Sequence, residues 1–276
     1  MPRGVYNRDK ARNVSSFAQA VSNETDEQIE AKLHERFSVL SDLAYAAVDG
    51  TIRGLIVSGP AGLGKSFTVE QVLNEYDPEG VRSTQIKGYV RATGLLRALY
   101  EHRHPGCVVV FDDADSIFFD DVSLNLIKAA TDSSDKRMIS WMTEAKFEDQ
   151  DGDIMPRRFQ FNGTVIFITN YDMDAMIDKG HKLAPHFGAL VSRSHYIDLA
   201  MKTKRDYLIR IKQVVKAGLL DDYTEEQKSD VMNFVIKNFD RLRETSLRMV
   251  LKIAKLRRAN ATRFESLAKV TCLKNG

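Results

Sequence analysis

One octapeptide, Gly59-Pro60-Ala61-Gly62-Leu63-Gly64-Lys65-Ser66, constrains this chain more than any other feature. It fits G-x-x-x-x-G-K-[ST], a loop that wraps a nucleotide's phosphates. Its glycines let the backbone turn tightly and aim successive N–H groups at one anion. Lys65 supplies a point charge for the β- and γ-phosphates, and Ser66 an oxygen for Mg²⁺. Residues 53–58 read as a buried strand and residues 67–73 as a helix. The phosphates would therefore rest on a helix N-terminus, where free amides and the helix dipole favour negative charge.

With 276 residues, one to two domains and an ample core are expected. Hydrophobic content of 43% and charged content of 28% give the balance of an ordinary soluble protein. No apolar run nears the length that spans a bilayer, and Met1-Pro2-Arg3-Gly4 opens no secretory signal. A cytoplasmic protein with no membrane partner is expected. The two cysteines, Cys107 and Cys272, build no framework of bridges, and Cys107 reads as a small hydrophobe in a reducing setting. His102-x-His104 has a metal-like spacing, but its Arg- and Pro-containing surroundings mark a surface loop. The net charge of +2 is unevenly spread: residues 200–276 hold 18 Lys/Arg against 9 Asp/Glu, which is +9 there and −7 elsewhere. Such a basic part suits nucleic acid or the acidic body of a neighbouring copy; solvated helix faces are the plain alternative.

Residues 1–24 read as a flexible basic tail, with Arg3, Arg8, Lys10 and Arg12 and no periodicity. Thr25-Asp26-Glu27-Gln28 is a capping box, and the helix after it aligns Ile29, Leu33, Phe37, Leu40, Ala44 and Ala47 before stopping at Gly50. Strands at 53–58, 83–88, 107–112 and 164–169 then alternate with helices, the signature of a parallel sheet with helices on both sides. Two period-two segments, 138–143 and 157–161, flank an acid-rich turn at 148–153 and predict a β-hairpin. After about residue 200 only helical stripes continue: Tyr207, Leu208, Ile211, Val214 and Val215; then Val231, Val235 and Phe239 behind a Thr224-x-x-Gln227 cap; then Leu247, Val250, Leu251 and Ala254.

The third candidate strand ends in Asp112-Asp113-Ala114-Asp115. Ligands of open parallel sheets lie beyond the carboxyl ends of the strands. Asp112 is the candidate Mg²⁺ tether, through water or through Ser66, and Asp113 the candidate general base for an attacking water. Acids after a strand also cap the next helix, and Asp115 is read that way. The fourth strand ends in Asn170, whose amide could orient the water and sense the γ-phosphate; an isolated Asn there is otherwise a turn residue.

This order, residues 59–66, then Asp112-Asp113, then Asn170, then helices, resembles the AAA+ ATPases over about residues 30–260. The resemblance implies an α/β fold: a P-loop NTPase parallel sheet sandwiched by helices, with a small all-α C-terminal lid. It divides the chain into an ATPase core at 25–200 and a lid at 201–276. It implies that Gly59, Pro60, Ala61, Gly62, Leu63, Gly64, Lys65, Ser66 and Phe67 bind ATP or ADP, that Ser66 and Asp112 hold Mg²⁺, and that Asp113 and Asn170 serve hydrolysis. Ala189-Leu190-Val191-Ser192-Arg193 looks like the segment carrying the family's arginine finger, although Ser194 and His195 replace the cysteine context of clamp-loader subunits. Thr245-Ser246-Leu247-Arg248 looks like the lid helix carrying the sensor-2 arginine. A finger acting in trans implies a homo-oligomer, with a hexamer favoured and a pentameric spiral as the alternative.

The family usually has glutamate where Asp113 stands. Aspartate reaches about 1–1.5 Å less far, so a weakly hydrolysing, nucleotide-gated scaffold is one reading. Lys87-Gly88-Tyr89-Val90 resembles the pore loop of protein unfoldases in letters, but it follows the second strand at once, and Tyr89 is expected to pack under the next helix. The hairpin resembles the insertion of helicase-like and unfoldase-like members. Its Trp141, Phe159, Arg157 and Arg158 could stack bases and hold phosphates or pack on the sheet, and its acidic tip argues against the tip gripping DNA. The substrate is then a nucleic acid or nucleoprotein complex, or a protein delivered by an adaptor. A compact ATPase of this style also looks like ones encoded by phages, for which the host cytoplasm is the expected location, and by plasmids.

Overall fold

Helix α1 (Asp26–Val48) begins at the predicted capping box: the Gln28 N–H donates to the Thr25 hydroxyl and the Thr25 N–H to the Gln28 side chain. Its six expected apolar positions are all buried. This is a computed structural model in which residues 24–274 are described. All of the basic tail read at 1–24 except Glu24 lies outside the described residues.

Five parallel strands form the sheet: β1 (Gly54–Ser58), β2 (Ser83–Lys87), β3 (Val108–Asp112), β6 (Thr164–Thr169) and β7 (His195–Asp198), in the order β2-β3-β6-β1-β7. Between β3 and β6 the chain inserts β4 (Met138–Ser140) and β5 (Arg158–Gln160), the expected antiparallel hairpin. Alternation along each central strand explains its continuous apolar run. Leu55, Val57, Val108, Val110, Ile166 and Ile168 pack toward α1 and α2 (Lys65–Tyr76). Ile56, Val109, Phe111, Val165 and Phe167 face the other way, toward α3 (Ala92–Glu101), α4 (Asp121–Ala130) and α6 (Ala184–Arg193); the short α5 (Met173–Asp178) precedes α6.

Three sequence expectations need correction. The sequence names four parallel strands, and β7 is a fifth. It lies at the sheet edge with only Ile197 buried, so no apolar run marks it. Tyr89 does not pack under α3. It is 74% exposed, because Gly88 turns the chain at φ 91° and Val90 takes the buried place. The Ser116 hydroxyl fixes that turn by bonding the N–H and the carbonyl of Val90, at 3.1 and 3.0 Å. Asp115 caps no helix; it opens a 3₁₀ turn (Asp115–Phe119), and the cap of α4 is Asp120.

In the hairpin, Ile139 and Phe159 pair across the strands and are buried in the core, while Arg157 and Arg158 are exposed. Trp141 is half-buried edge-on to Phe147, with ring centroids 5.8 Å apart.

The C-terminal helices are α7 (Lys204–Val214), α8 (Glu225–Lys237), α9 (Leu247–Ala259) and α10 (Phe264–Cys272), with a π turn (Val215–Leu219) after α7. Three were expected; α10 shows only Phe264, Ala268 and Cys272 to the interior, a stripe too thin to read alone. These helices share their own apolar cluster, centred on Val231, Val235, Val250 and Ile253. Helix α7 is also fastened to α1, through Arg205 Nε–Asp26 (2.6 Å) and Gln213 Nε2–Glu30 carbonyl (2.6 Å).

Candidate nucleotide site

Strand β1 feeds directly into the glycine loop, where Gly59, Gly62 and Gly64 adopt φ of 144°, 74° and 99°. Gly64 is the N-cap of α2 and brings no capping side chain, so the first amides of that helix point to the cleft. Lys65 is buried, and its three ammonium protons have three acceptors: the Gly59 carbonyl, the Pro60 carbonyl at 2.9 Å and Asn170 Oδ1 at 3.0 Å. Burial pulls its pKa from 10.5 to about 8, against the opposing pull of Asp113 and Asp112.

Asp112 is buried at the end of β3. Its Oδ1 accepts from the Ser66 hydroxyl at 2.9 Å and its Oδ2 from Gln85 Nε2 at 3.1 Å. Lys87 stands 3.6 Å from that second oxygen and 2.7 Å from Glu70. Asp113 is exposed, and among the described residues it is the non-glycine with positive φ, at 52°. The left-handed turn aims its carboxylate back over the sheet, where Oδ1 accepts from Asn170 Nδ2 at 2.9 Å. Asn170 thus joins Lys65 to Asp113. Behind it, Thr169 Oγ1 donates to Asp115 at 2.6 Å, and burial pushes the Asp115 carboxyl up.

Of these groups, Gly62, Gly64, Lys65, Ser66, Asp113 and Asn170 line one cleft of about 1060 Å³. Its floor is the loop with Lys65, Ser66 and the exposed Phe67, and its far wall comes from the C-terminal helices, including Arg210 and Arg248. The wall touches the loop: the Leu247 N–H donates to the Gly62 carbonyl at 2.9 Å, and a Cβ on Gly62 would stand 2.5 Å from Ser246 Cβ. Gly62→Ala is therefore expected to push the N-terminus of α9 off the loop, in a φ region that also disfavours alanine. Differential scanning fluorimetry should show a melting temperature lower by several degrees, and limited proteolysis a faster cut between 242 and 247.

Asp112 meets the cleft only through Ser66, and Leu63 of the loop is buried in the core. Among the expected catalytic residues, Asp113, Asn170 and Arg248 line the cleft, and Arg193 stands apart from it. It is the exposed last residue of α6, donates to its own Ala189 carbonyl at 3.0 Å and reaches only 4.0 Å from Asp132.

The oxygens present suit Mg²⁺. A hydroxyl and a carboxylate oxygen 2.9 Å apart, beside a phosphate loop, are the hard donors that this ion takes along with water and phosphate oxygens.

Sequence reading missed Gln85, Lys87, Thr169 and Arg210. Each reaches the site from an element whose own pattern reports only packing, so no local signal marks it.

A phosphate loop between strand and helix, an acid pair ending a second strand and an amide ending a third define a P-loop nucleotide-binding fold. The signature of the AAA family, the ATPase family associated with various cellular activities, matches residues 55–181. An uncharacterised 36.7 kDa protein from the nrdC–mobD intergenic region of Enterobacteria phage T4 is 34% identical over 253 residues, spanning 89% of this chain and 76% of that protein. The chain belongs to the AAA family of ATPases. The phage relative also fits the likeness to phage-encoded ATPases read from the sequence. Thermotoga maritima RuvB, a Holliday junction branch migration motor, superposes with a TM-score of 0.50 at 13% identity, covering 87% of this chain and 68% of that one, a likeness of fold. No helix among the described residues is long and apolar enough to cross a membrane.

Proposed function

We propose that this AAA ATPase binds Mg²⁺-ATP in the cleft, hydrolyses it to ADP and phosphate within a head-to-tail homo-oligomer, and couples the cycle to remodelling of a nucleic acid or nucleoprotein complex. One observation carries the reading: the loop, Asp113 and Asn170 of the sheet meet Arg248 of the C-terminal helices in a single cleft. In this reading residues 25–200 are the core and 201–276 a lid. A hexamer, or a five-membered spiral, is the assembly it favours.

The loop amides and Lys65 hold the phosphates, and Ser66 and Asp112 hold the metal. Mg²⁺, when bound, offsets charge on the β- and γ-phosphates. To reach a phosphate, Lys65 must leave the carbonyls it now bonds. That releases Asn170 Oδ1 and lets the amide turn toward the attacking water. Asp113 accepts the proton of that water. Arg248 senses the γ-phosphate in cis, and Arg193 of the next copy completes the site.

The basic balance of residues 200–276 supports a nucleic-acid substrate. ATPase rates measured with and without single-stranded and duplex DNA should rise with DNA, and binding should weaken with salt; the absence of both effects would count against this substrate. Asp113→Asn should lose turnover and keep binding; an unaltered chain with no turnover to lose would be a scaffold. A second reading, protein remodelling through an adaptor, has one observation in its favour: Tyr89 stands exposed on a turn tied through Ser116 to the segment after Asp113.

A further inference from the structure

We propose that Arg210, on α7, is a second phosphate-binding cation of the cleft and clamps the diphosphate portion shared by ATP and ADP. Its guanidinium lies over the Phe37 ring, 3.4 Å from the centroid. Its Nε is buried without an acceptor, and among the described residues the side chain has no carboxylate partner. Burial alone pulls its pKa down to about 10. One Nη2 stands 3.7 Å from the place a Cβ would take on Gly64, so the open edge of the fork faces the phosphate loop. The same cleft holds Lys65 and Arg248.

A desolvated cation without a counter-charge costs stability, and proteins retain such groups where a ligand supplies the missing charge. Stacking on Phe37 holds the guanidinium plane, which leaves its N–H donors for an anion. The acids that line this part of the cleft, Glu27 and Glu30 on α1, make no ion pair with it. Gln213, one turn further along α7, repeats the pattern: its Nε2 is fixed by the Glu30 carbonyl while its Oε1 is buried without a donor. The chain thus presents an unanswered donor beside the phosphate loop and an unanswered acceptor further out, the polarity of a phosphate followed by a hydroxyl- or amine-bearing nucleoside.

This inference rests on the cleft taking a nucleotide. The test uses the full chain in three forms, unaltered, Arg210→Met and Arg210→Lys, with calorimetric titration of ATP, ADP and adenosine and with melting temperatures without nucleotide. Methionine keeps an apolar stem on Phe37 and removes the buried charge. Its nucleotide-free melting temperature should be unchanged or higher, while affinity for ATP and for ADP falls by about tenfold or more, with adenosine unaffected. Lysine, which keeps charge but loses the fork, should fall between. Equal ATP affinity in the unaltered and Arg210→Met chains would overturn the inference and leave the nucleotide reading standing. So would a melting temperature that drops with affinities intact, which marks a packing role, or an adenosine loss equal to that of ATP. An unaltered chain that binds no ATP would overturn both.

Discussion

Replacing Lys65 with alanine is expected to abolish measurable ATP binding in a chain that still folds. The ammonium is buried within the loop, where it makes charge-assisted hydrogen bonds to two carbonyls and to Asn170. A triphosphate takes over those donors as anionic acceptors, and two to three such bonds correspond to a loss of at least about a hundredfold in affinity. The folded chain loses little, because burial already disfavours the charged form. That penalty is full below pH 8 and fades as pH rises from about 8 to 10.5, so the nucleotide-free protein gains stability across that window. Binding has the opposite sign. Phosphate charge raises the lysine pKa, so above pH 8 the complex takes up a proton, and the affinity of the unaltered chain falls as pH rises from 8 to 10. Isothermal titration across this range should show the decline in the unaltered chain and no binding in Lys65→Ala. Micromolar ATP binding by Lys65→Ala would remove the phosphate loop from the site.

Much of this site is legible because its parts are local. The loop, its strand and its helix are contiguous, and each glycine with positive φ there is a glycine in the sequence for that reason. The acid pair follows a strand of unbroken Val and Phe, and the α1 face repeats at a helical spacing that all six residues obey. What escaped is non-local or marginal. Asn170 is legible as the residue that ends a strand, but its bonds to groups 105 and 57 residues away are recorded by no spacing. Strand β7 is an edge with one buried residue, so it lacks the alternation a strand normally shows. An apolar pair such as Tyr89-Val90 does not say which member the turn at Gly88 sends inward. Arg210 looks like any cation on an amphipathic helix until Phe37 is found beneath it.

Arg193→Ala is expected to bind ATP as tightly as the unaltered chain and to lose about three orders of magnitude or more in turnover, the scale of an arginine supplied in trans. The sheet register carries the argument. Strand β7 runs parallel to β1 with His195 beside Leu55, so Arg193 sits at the start of β1, while the phosphate loop leaves its far end after Ser58. Four strand residues separate the two levels by about 13 Å. An arginine there cannot serve the phosphates of its own chain without unzipping β7, yet its exposed place at the end of α6 can meet another copy's cleft. Contacts of that head-to-tail kind close into rings or wind into spirals. Mixing then gives a sharper test than either variant alone. Lys65→Ala chains have no working cleft but keep their arginine, and Arg193→Ala chains have the reverse. Equimolar mixtures should recover part of the lost turnover, because some junctions pair an intact cleft with an intact arginine. Full turnover by Arg193→Ala alone, or a mixture as inactive as its parts, would show that catalysis does not pass between copies through this residue.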